Sequence, residues 1–286
     1  MKYVDSAKGV SQSGEGSVYR NLVFGPRLRV GPLGFVICSL EEALRFLIGS
    51  LSSQSVGHDL QPGVSVHFAN AYTIALADND PRYQQLLNSG ALVFMDGQAV
   101  VWAAKIQHRR EGQVCERVYG PDVMRGILAA SGDLHRHFLL GSTPTILSRL
   151  EASIRRDYPD AQVVGSYSPP FTDLADPEEL RIRDGLIARA APTHIWVGLG
   201  TPKQDFEVAR LAGEHKAFVF GVGAAFDFLS GSTPEAPQII KTLGLQWAHR
   251  LLHEPRRLAK RYLWGNPRFV WAVLRTPRST EMRRLK

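Results

Sequence analysis

Cysteine is scarce: Cys38 and Cys115 are the only two in 286 residues. That number excludes a disulfide framework and a thiolate metal site, and predicts isolated reduced thiols. No apolar run approaches the ~20 residues that a membrane-spanning helix needs. The first residues lack a basic stretch leading into an apolar core, so no secretory signal is predicted. His-Glu-x-x-His and paired-Cys patterns are missing as well, so no metal and no cofactor is expected. Two weaker metal cues have plainer explanations. His135 and His137 stand two apart in a polar stretch and read as solvated. Asp78-Asn79-Asp80 has the spacing of a metal-holding acidic pair, but Asp80 precedes Pro81 and reads as the cap of a following helix. Together these absences predict a cytoplasmic protein whose contact with a membrane is peripheral.

Charge is abundant but uneven. The chain carries 34 Lys and Arg against 27 Asp and Glu, a net +7. Lys241 to Lys286 alone holds 12 basic residues and two acids, Glu254 and Glu281, so that segment is +10 and residues 1–240 sum to −3. Such asymmetry suggests a surface for phosphate, nucleic acid or anionic lipid. Arg250, Arg257 and Arg261 are spaced by seven and four, one face of a helix. Tyr262, Leu263, Trp264, Phe269, Val270, Trp271 and Leu274 interleave with the basic residues. That mixture suits an interfacial helix on anionic lipid better than a nucleic-acid surface.

Residues 1–20 are rich in Ser, Gly and charge and are expected to be a disordered leader. From Val64 onward short apolar runs alternate with amphipathic stretches. The predicted strands are Val64–Phe68, Ala91–Met95, His137–Gly141, Ala161–Gly165, His194–Leu199 and Ala217–Val222. Predicted helices are Leu40–Leu51, Arg82–Ser89, Gln98–Gln107, Pro121–Ala130, Thr145–Asp157, Pro177–Ala190, Gln204–Ala212 and Pro237–Leu252. The strands are near-continuous apolar runs, as expected of a parallel sheet covered on both faces. The expectation is an α/β domain over 21–240, a doubly wound, Rossmann-like parallel sheet, with a basic C-terminal helical appendage over 241–286.

In such a sheet ligands bind beyond the carboxyl ends of the strands. Three candidate motifs occupy strand ends and are expected to converge on one crevice. The first is Asp96-Gly97, after Ala91–Met95. Asp96 has two readings: a general base facing the crevice, or the N-cap of helix Gln98–Gln107. The second is Gly198-Leu199-Gly200-Thr201-Pro202, which opens into Lys203-Gln204-Asp205. Its small residues permit close backbone approach, Lys203 suits phosphate, and Gln204 offers both a donor and an acceptor. The alternative is an ordinary strand-to-helix turn. The third is Gly221-Val222-Gly223-Ala224-Ala225-Phe226, which imitates a dinucleotide fingerprint. The third glycine and the downstream ribose-binding acid are missing, so NAD is not expected. Between the first two lies Glu116-Arg117-Val118-Tyr119-Gly120-Pro121-Asp122, where Arg117 suits a phosphate or carboxylate.

In this order the phrases resemble the WecG/TagA/CpsF family of glycosyltransferases, from about Val64 to Arg261. The resemblance implies transfer of a sugar from a UDP-sugar to a lipid-linked saccharide at the inner face of a bacterial membrane, with inversion and without metal. It implies Asp96 as base, with Arg117 near donor or acceptor and Gln204 facing the site. By the same likeness Asn70, Gly97, Gly200, Pro202, Lys203, Gly223 and Asp227 line the nucleotide-sugar site, and Arg250, Arg257 and Arg261 close over the diphosphate. Where relatives carry Thr, this chain has Phe68, and Thr73 is a candidate to compensate. Relatives read Arg-Ala-Pro and Glu-Trp where this chain has Glu235-Ala236-Pro237 and Gln246-Trp247. Expected partners are the UDP-sugar, a polyprenyl-diphosphate-linked acceptor and an anionic membrane surface, with homo-oligomerisation left open and no nucleic acid. The rivals are a nucleotide-dependent oxidoreductase and a basic nucleic-acid-binding protein.

Overall fold

The structure is a computed structural model that describes residues 27–49, 63–108, 115–170, 176–242 and 244–276. The expected leader over 1–20 lies outside the described residues. Six strands form a parallel sheet flanked by helices, the expected α/β, Rossmann-like arrangement. They are β3 (Val64–Ala69), β4 (Leu92–Met95), β5 (Arg136–Gly141), β6 (Gln162–Tyr167), β7 (His194–Gly198) and β8 (Phe218–Gly221). Each overlaps a predicted strand. The sequence reading missed a short antiparallel hairpin, β1 (Arg27–Val30) and β2 (Leu33–Val36). Its strands are four residues long, too short to display a period.

The chain forms two compact units that do not follow its order. Of the described residues, unit one comprises 41–49, 63–66, 120–170 and 176–233, and unit two comprises 27–40, 67–108, 115–119, 234–242 and 244–276. In unit one the sheet runs β8-β7-β5-β6. The parallel register aligns His137 with His194 and His194 with Phe218, and Leu139 with Trp196 and Trp196 with Phe220. Period-two alternation therefore collects His137, His194, Trp196, Phe218 and Phe220 on one face. The other face carries Phe138, Leu140, Ile195, Val197 and Val219 in an aliphatic core with Val208 and Leu211.

That register overturns one expectation. His135 and His137 are buried rather than solvated. His137 Nε2 lies 2.7 Å from the Ser131 hydroxyl, and the Trp196 indole donates to His137 Nδ1 at 3.2 Å. The polar residues around the pair masked the strand start from sequence inspection, yet the imidazoles find partners inside and need no solvent. Burial pushes His137 down to about 3, with the neighbouring His135 adding to the shift. Burial also lowers His135 and His194.

Unit one also holds most of α1 (Leu40–Gly49), and α5 (Gly120–Ala129), α6 (Pro144–Asp157), α7 (Pro177–Ala190), α8 (Lys203–Glu214) and α9 (Ala225–Leu229). In unit two are α2 (Ala71–Asn79), α3 (Pro81–Asn88), α4 (Gln98–Gln107), α10 (Gln238–Thr242), α11 (Gln246–His253) and α12 (Pro255–Arg275). Three helices begin as their sequence dictates, a capping side chain and then proline at the first helical position: Asp80-Pro81, Thr143-Pro144 and Asp176-Pro177. Asp80 thus caps α3, accepting from Arg82 N at 2.9 Å. Asp78, also on α2, is engaged by Arg268 at 3.3 Å and by Arg275.

The predicted helix Pro237–Leu252 is two pieces, α10 and α11. The single face expected for Arg250, Arg257 and Arg261 is also divided: Arg250 lies on α11 and the other two on α12. Glu254 separates them at φ −132° and ψ 55°, and Pro255 opens α12. A residue before proline is pushed out of the helical region, so the break is local chemistry that the spacing argument overlooked.

Candidate functional site

The candidate residues divide between the two units. Asn70, Asp96, Gly97, Arg117, Arg250, Arg257 and Arg261 belong to unit two. Gly200, Pro202, Lys203, Gln204, Gly223 and Asp227 belong to unit one.

In unit two, Asp96 follows β4 directly. Its amide donates to Ala69 O at 3.0 Å, and the adjoining Met95 carbonyl accepts from Val118 N at 2.9 Å. Two backbone bonds therefore fix the turn that carries the carboxylate, and the second draws in the Glu116–Asp122 phrase. The N-cap of α4 is Gly97, which makes no side-chain cap bond. Asp96 stands one position before that cap. A Cβ at Gly97 would lie 3.2 Å from the Asn70 Cβ, so this turn and the start of α2 are in close approach.

Asn70 caps α2. Its Oδ1 accepts from Tyr72 N at 3.0 Å and Thr73 N at 3.4 Å, while the Thr73 hydroxyl accepts from Asn70 N at 3.3 Å. Thr73 is buried in this reciprocal box, so it serves the helix start. Phe68 is buried against Phe94, with ring centroids 5.9 Å apart.

Arg117 Nη1 donates to Gln246 Oε1 at 2.7 Å, and its guanidinium lies 4.7 Å from the Tyr119 ring centroid. Gln246, rather than the exposed Glu116, holds it. Lys241 Nζ is 5.6 Å from the same ring and 2.7 Å from Glu235 Oε1. The Tyr119 hydroxyl is pushed up, first by burial and then by Asp96 and Glu235, with Arg250 and Arg117 opposing. One buried ring therefore feels Asp96, Arg117 and Arg250 together.

Arg261 joins the same group. Its guanidinium lies 4.4 Å from the Tyr72 ring centroid. Burial lowers its pKa and Arg250 adds to the effect, while Tyr262, Tyr72 and Asp96 oppose it. Its Nε is buried with no hydrogen-bond partner. Such a donor costs free energy unless an acceptor arrives. Arg257 lies on α12, and its side chain is outside the described set. Unit two thus places Asp96 and Arg250 within electrostatic reach of both Tyr119 and Arg261, with Arg117 over the Tyr119 ring.

In unit one, Gln204 braces a loop. It is 5% exposed. Its Oε1 accepts from Gly200 N at 3.2 Å, and its Nε2 donates to Gly221 O at 3.1 Å and Thr201 Oγ1 at 3.4 Å. Gly200 and Gly223 have φ of +80° and +47°, where L side chains are strained. A Cβ at Gly223 would also come within 3.1 Å of Gln204 Oε1. One amide therefore ties together the ends of β7 and β8. Lys203 is exposed at the first position of α8, and Pro202 follows a cis Thr201–Pro202 bond. The Asp227 carbonyl accepts from Ser230 Oγ at 3.2 Å, Ser232 N at 3.0 Å and Thr233 N at 3.1 Å.

Among the described residues one group has metal-like composition, Asp184, Glu214 and His215. Arg210 already bonds both carboxylates, at 2.7 Å each. The residues that sequence inspection missed are Tyr72 and Tyr119. Tyr119 sits inside a recognised phrase, but nothing local marks a tyrosine as the support of an arginine far along the chain.

Chemically, unit two offers a carboxylate on a rigid turn beside a cationic group with an unsatisfied donor. It can accept a proton while an anion forms nearby. Comparison with known families agrees in class: the model of the glycosyl transferase WecG/TagA/CpsF family matches residues 34–283.

Proposed function

The chain belongs to the WecG/TagA/CpsF glycosyltransferase family, and from that premise we propose an inverting hexosyltransferase that uses a UDP-sugar. The acceptor is a saccharide on polyprenyl diphosphate, and the donor is of the N-acetylmannosamine, N-acetylmannosaminuronate, glucose or glucuronate type. The acceptor hydroxyl oxygen attacks the anomeric carbon from the face opposite the diphosphate. Asp96 takes the hydroxyl proton. The bond from the anomeric carbon to the diphosphate oxygen breaks, and UDP leaves with the electron pair, giving a β-glycoside. Arg117, Arg250 and Arg261 offset the charge that develops on UDP, and no metal is required. Each such contact typically contributes about 3 kcal/mol in the transition state.

The observation that carries this reading is the grouping of Asp96 with Arg250 and Arg261 around Tyr72 and Tyr119. Within unit one, Gln204 shapes the loop that bears Gly200. The enzyme works at the inner face of the cell membrane. In support, Leu252, Leu263, Val270, Trp271 and Leu274 are exposed on the basic helices α11 and α12. No described helix is long and apolar enough to cross a membrane.

The test is a donor screen with a short-chain lipid-diphosphate acceptor, following UDP release. Asp96→Asn should lower turnover by roughly 10²-fold or more while UDP affinity changes little. Turnover within a few-fold of wild type would remove Asp96 from the chemistry.

A further inference from the structure

The described arginines are held in several ways, and two groups contrast. In the first group a carboxylate neutralises the guanidinium. Arg183 meets Glu207 at 2.9 Å, Arg210 meets Asp184 and Glu207 at 2.7 Å, and Arg156 meets Asp157 at 2.7 Å. Arg268 and Arg275 share Asp78. Those charges are consumed by the fold.

Arg117 and Arg261 are held differently. Among the described residues neither pairs with a carboxylate. Each lies on a tyrosine face instead, Arg117 at 4.7 Å from the Tyr119 centroid and Arg261 at 4.4 Å from that of Tyr72. Arg117 adds one hydrogen bond, to the neutral amide of Gln246. We propose that Tyr72, Tyr119 and Gln246 are positioning residues that fix Arg261 and Arg117 through uncharged contacts, so that both cations meet a diphosphate ester with undiminished charge. This rests on the functional reading above and names how its cations are supplied.

The chemistry of each contact supports the assignment. A guanidinium stacked on a ring uses its flat face and keeps its N–H edges for planar acceptors. Arg261 Nε is such an edge, buried and without a partner, and a phosphate oxygen would satisfy it. At Arg117 the amide orientation is forced, because a guanidinium has only donors and must be met by the oxygen of Gln246. That oxygen aims one N–H while adding no negative charge. The Tyr119 hydroxyl is shifted upward, so the ring stays neutral and cannot become an ionic partner.

The helix geometry is consistent. A Cβ at Gly265 would lie 3.0 Å from Tyr72 Cδ2, so glycine at that place lets the ring lie close to α12. Trp264 meets the Tyr72 ring edge-on at 6.1 Å. The ring is thus confined between α2 and the helix that carries Arg261. Gln246 and Lys241 lie on α11 and α10, so the same appended helices also support Arg117.

The experiment measures calorimetric binding of UDP and of inorganic diphosphate, with thermal unfolding as the folding control. Arg117→Ala and Arg261→Ala come first, and each should weaken both ligands. Tyr72→Leu and Tyr119→Leu should weaken them about tenfold, and Tyr72→Phe and Tyr119→Phe should restore wild-type affinity, because the ring face remains. Gln246→Glu is the discriminating variant, because relatives with Glu at this place also have Arg where this chain has Glu235, a cation this chain lacks, and the added carboxylate would fall on Arg117. It should leave the unfolding temperature equal or higher, through the new ion pair with Arg117, yet weaken UDP by fivefold or more and raise donor KM more than it lowers kcat. If the arginine variants bind UDP and diphosphate as wild type does, the cationic role in the proposed function is wrong. If they weaken binding while Gln246→Glu and both leucine variants bind normally, the positioning role is wrong and the earlier reading stands. Should a leucine variant fail to fold, the phenylalanine and Gln246→Glu results still decide: loss of binding in Phe, or tighter binding in Glu, overturns the proposal.

Discussion

Replacing Gln204 by Ala separates a structural brace from a substrate contact. The buried amide satisfies Gly200 N at 3.2 Å and Gly221 O at 3.1 Å. Truncation strands the buried Gly221 carbonyl, at a cost of about 1–3 kcal/mol, whereas the N–H of exposed Gly200 can turn to water. The Thr201 hydroxyl can turn to another partner, so its bond is left out. The expected destabilisation is then about 1–3 kcal/mol, part of it recovered if water enters the space. In a chain of this size 1 kcal/mol moves the unfolding midpoint by about 2–4 °C. Gln204→Ala should therefore lower the midpoint by about 2–12 °C, and turnover should fall because the loop bearing Gly200 loses its shape. Gln204→Glu keeps an acceptor for Gly200 N but loses the donor to Gly221 O, and it turns a carboxylate toward that carbonyl. It should be at least as damaging. Calorimetric unfolding of both variants, alongside UDP release, makes the check. An unchanged midpoint with turnover reduced a hundredfold would refute the brace and make Gln204 a substrate-contacting residue.

Three further outcomes are expected. Stability should fall on acidification, because the buried His135, His137 and His194 all have lowered pKa values. Below about pH 6.5 the unfolded chain takes up protons that the folded one refuses, so stability is full above that pH and is lost as pH falls toward 3. His137 at about 3 alone removes about 2 kcal/mol by pH 5. Urea unfolding at pH 7.5 and 5.0 tests this, and equal midpoints would contradict it. Arg183→Met should destabilise by about 3–5 kcal/mol, because it leaves the buried Glu179 and Glu207 without that cation. A midpoint equal to wild type in denaturant would show that Arg210 suffices for Glu207 and the Tyr167 hydroxyl for Glu179. Turnover should survive excess EDTA, since Asp78 is already engaged by Arg268 and Arg275 and Asp80 is a helix cap; an obligatory divalent ion would sink the metal-free scheme.

What the sequence determined by itself was local. The apolar runs placed six strands, because a segment buried on both faces must be apolar throughout, whatever packs on it. Asp80-Pro81 and Asp176-Pro177 announced their helix starts, since capping involves residues two or three apart. Asp96 was placed correctly at a strand end, directly after β4.

Local signals failed where the deciding partner is remote. Helix α2 was missed because buried Thr73, Ile74, Ala75 and Ala77 give it no polar stripe to mark a period. His137 looked solvated because the residues beside it are polar. Its partners, the Trp196 indole and the Ser131 hydroxyl, meet it only through the β5–β7 register and the end of α5. Arg117 and Gln246 are 129 positions apart. Their pairing, like that of Arg261 with Tyr72, exists only once the appended helices have folded back onto the strand-end turns. A sequence encodes which groups are available as donors, acceptors and ring faces. Which of them meet, and whether a guanidinium meets a carboxylate that cancels its charge or a tyrosine that leaves it whole, is decided by tertiary packing alone.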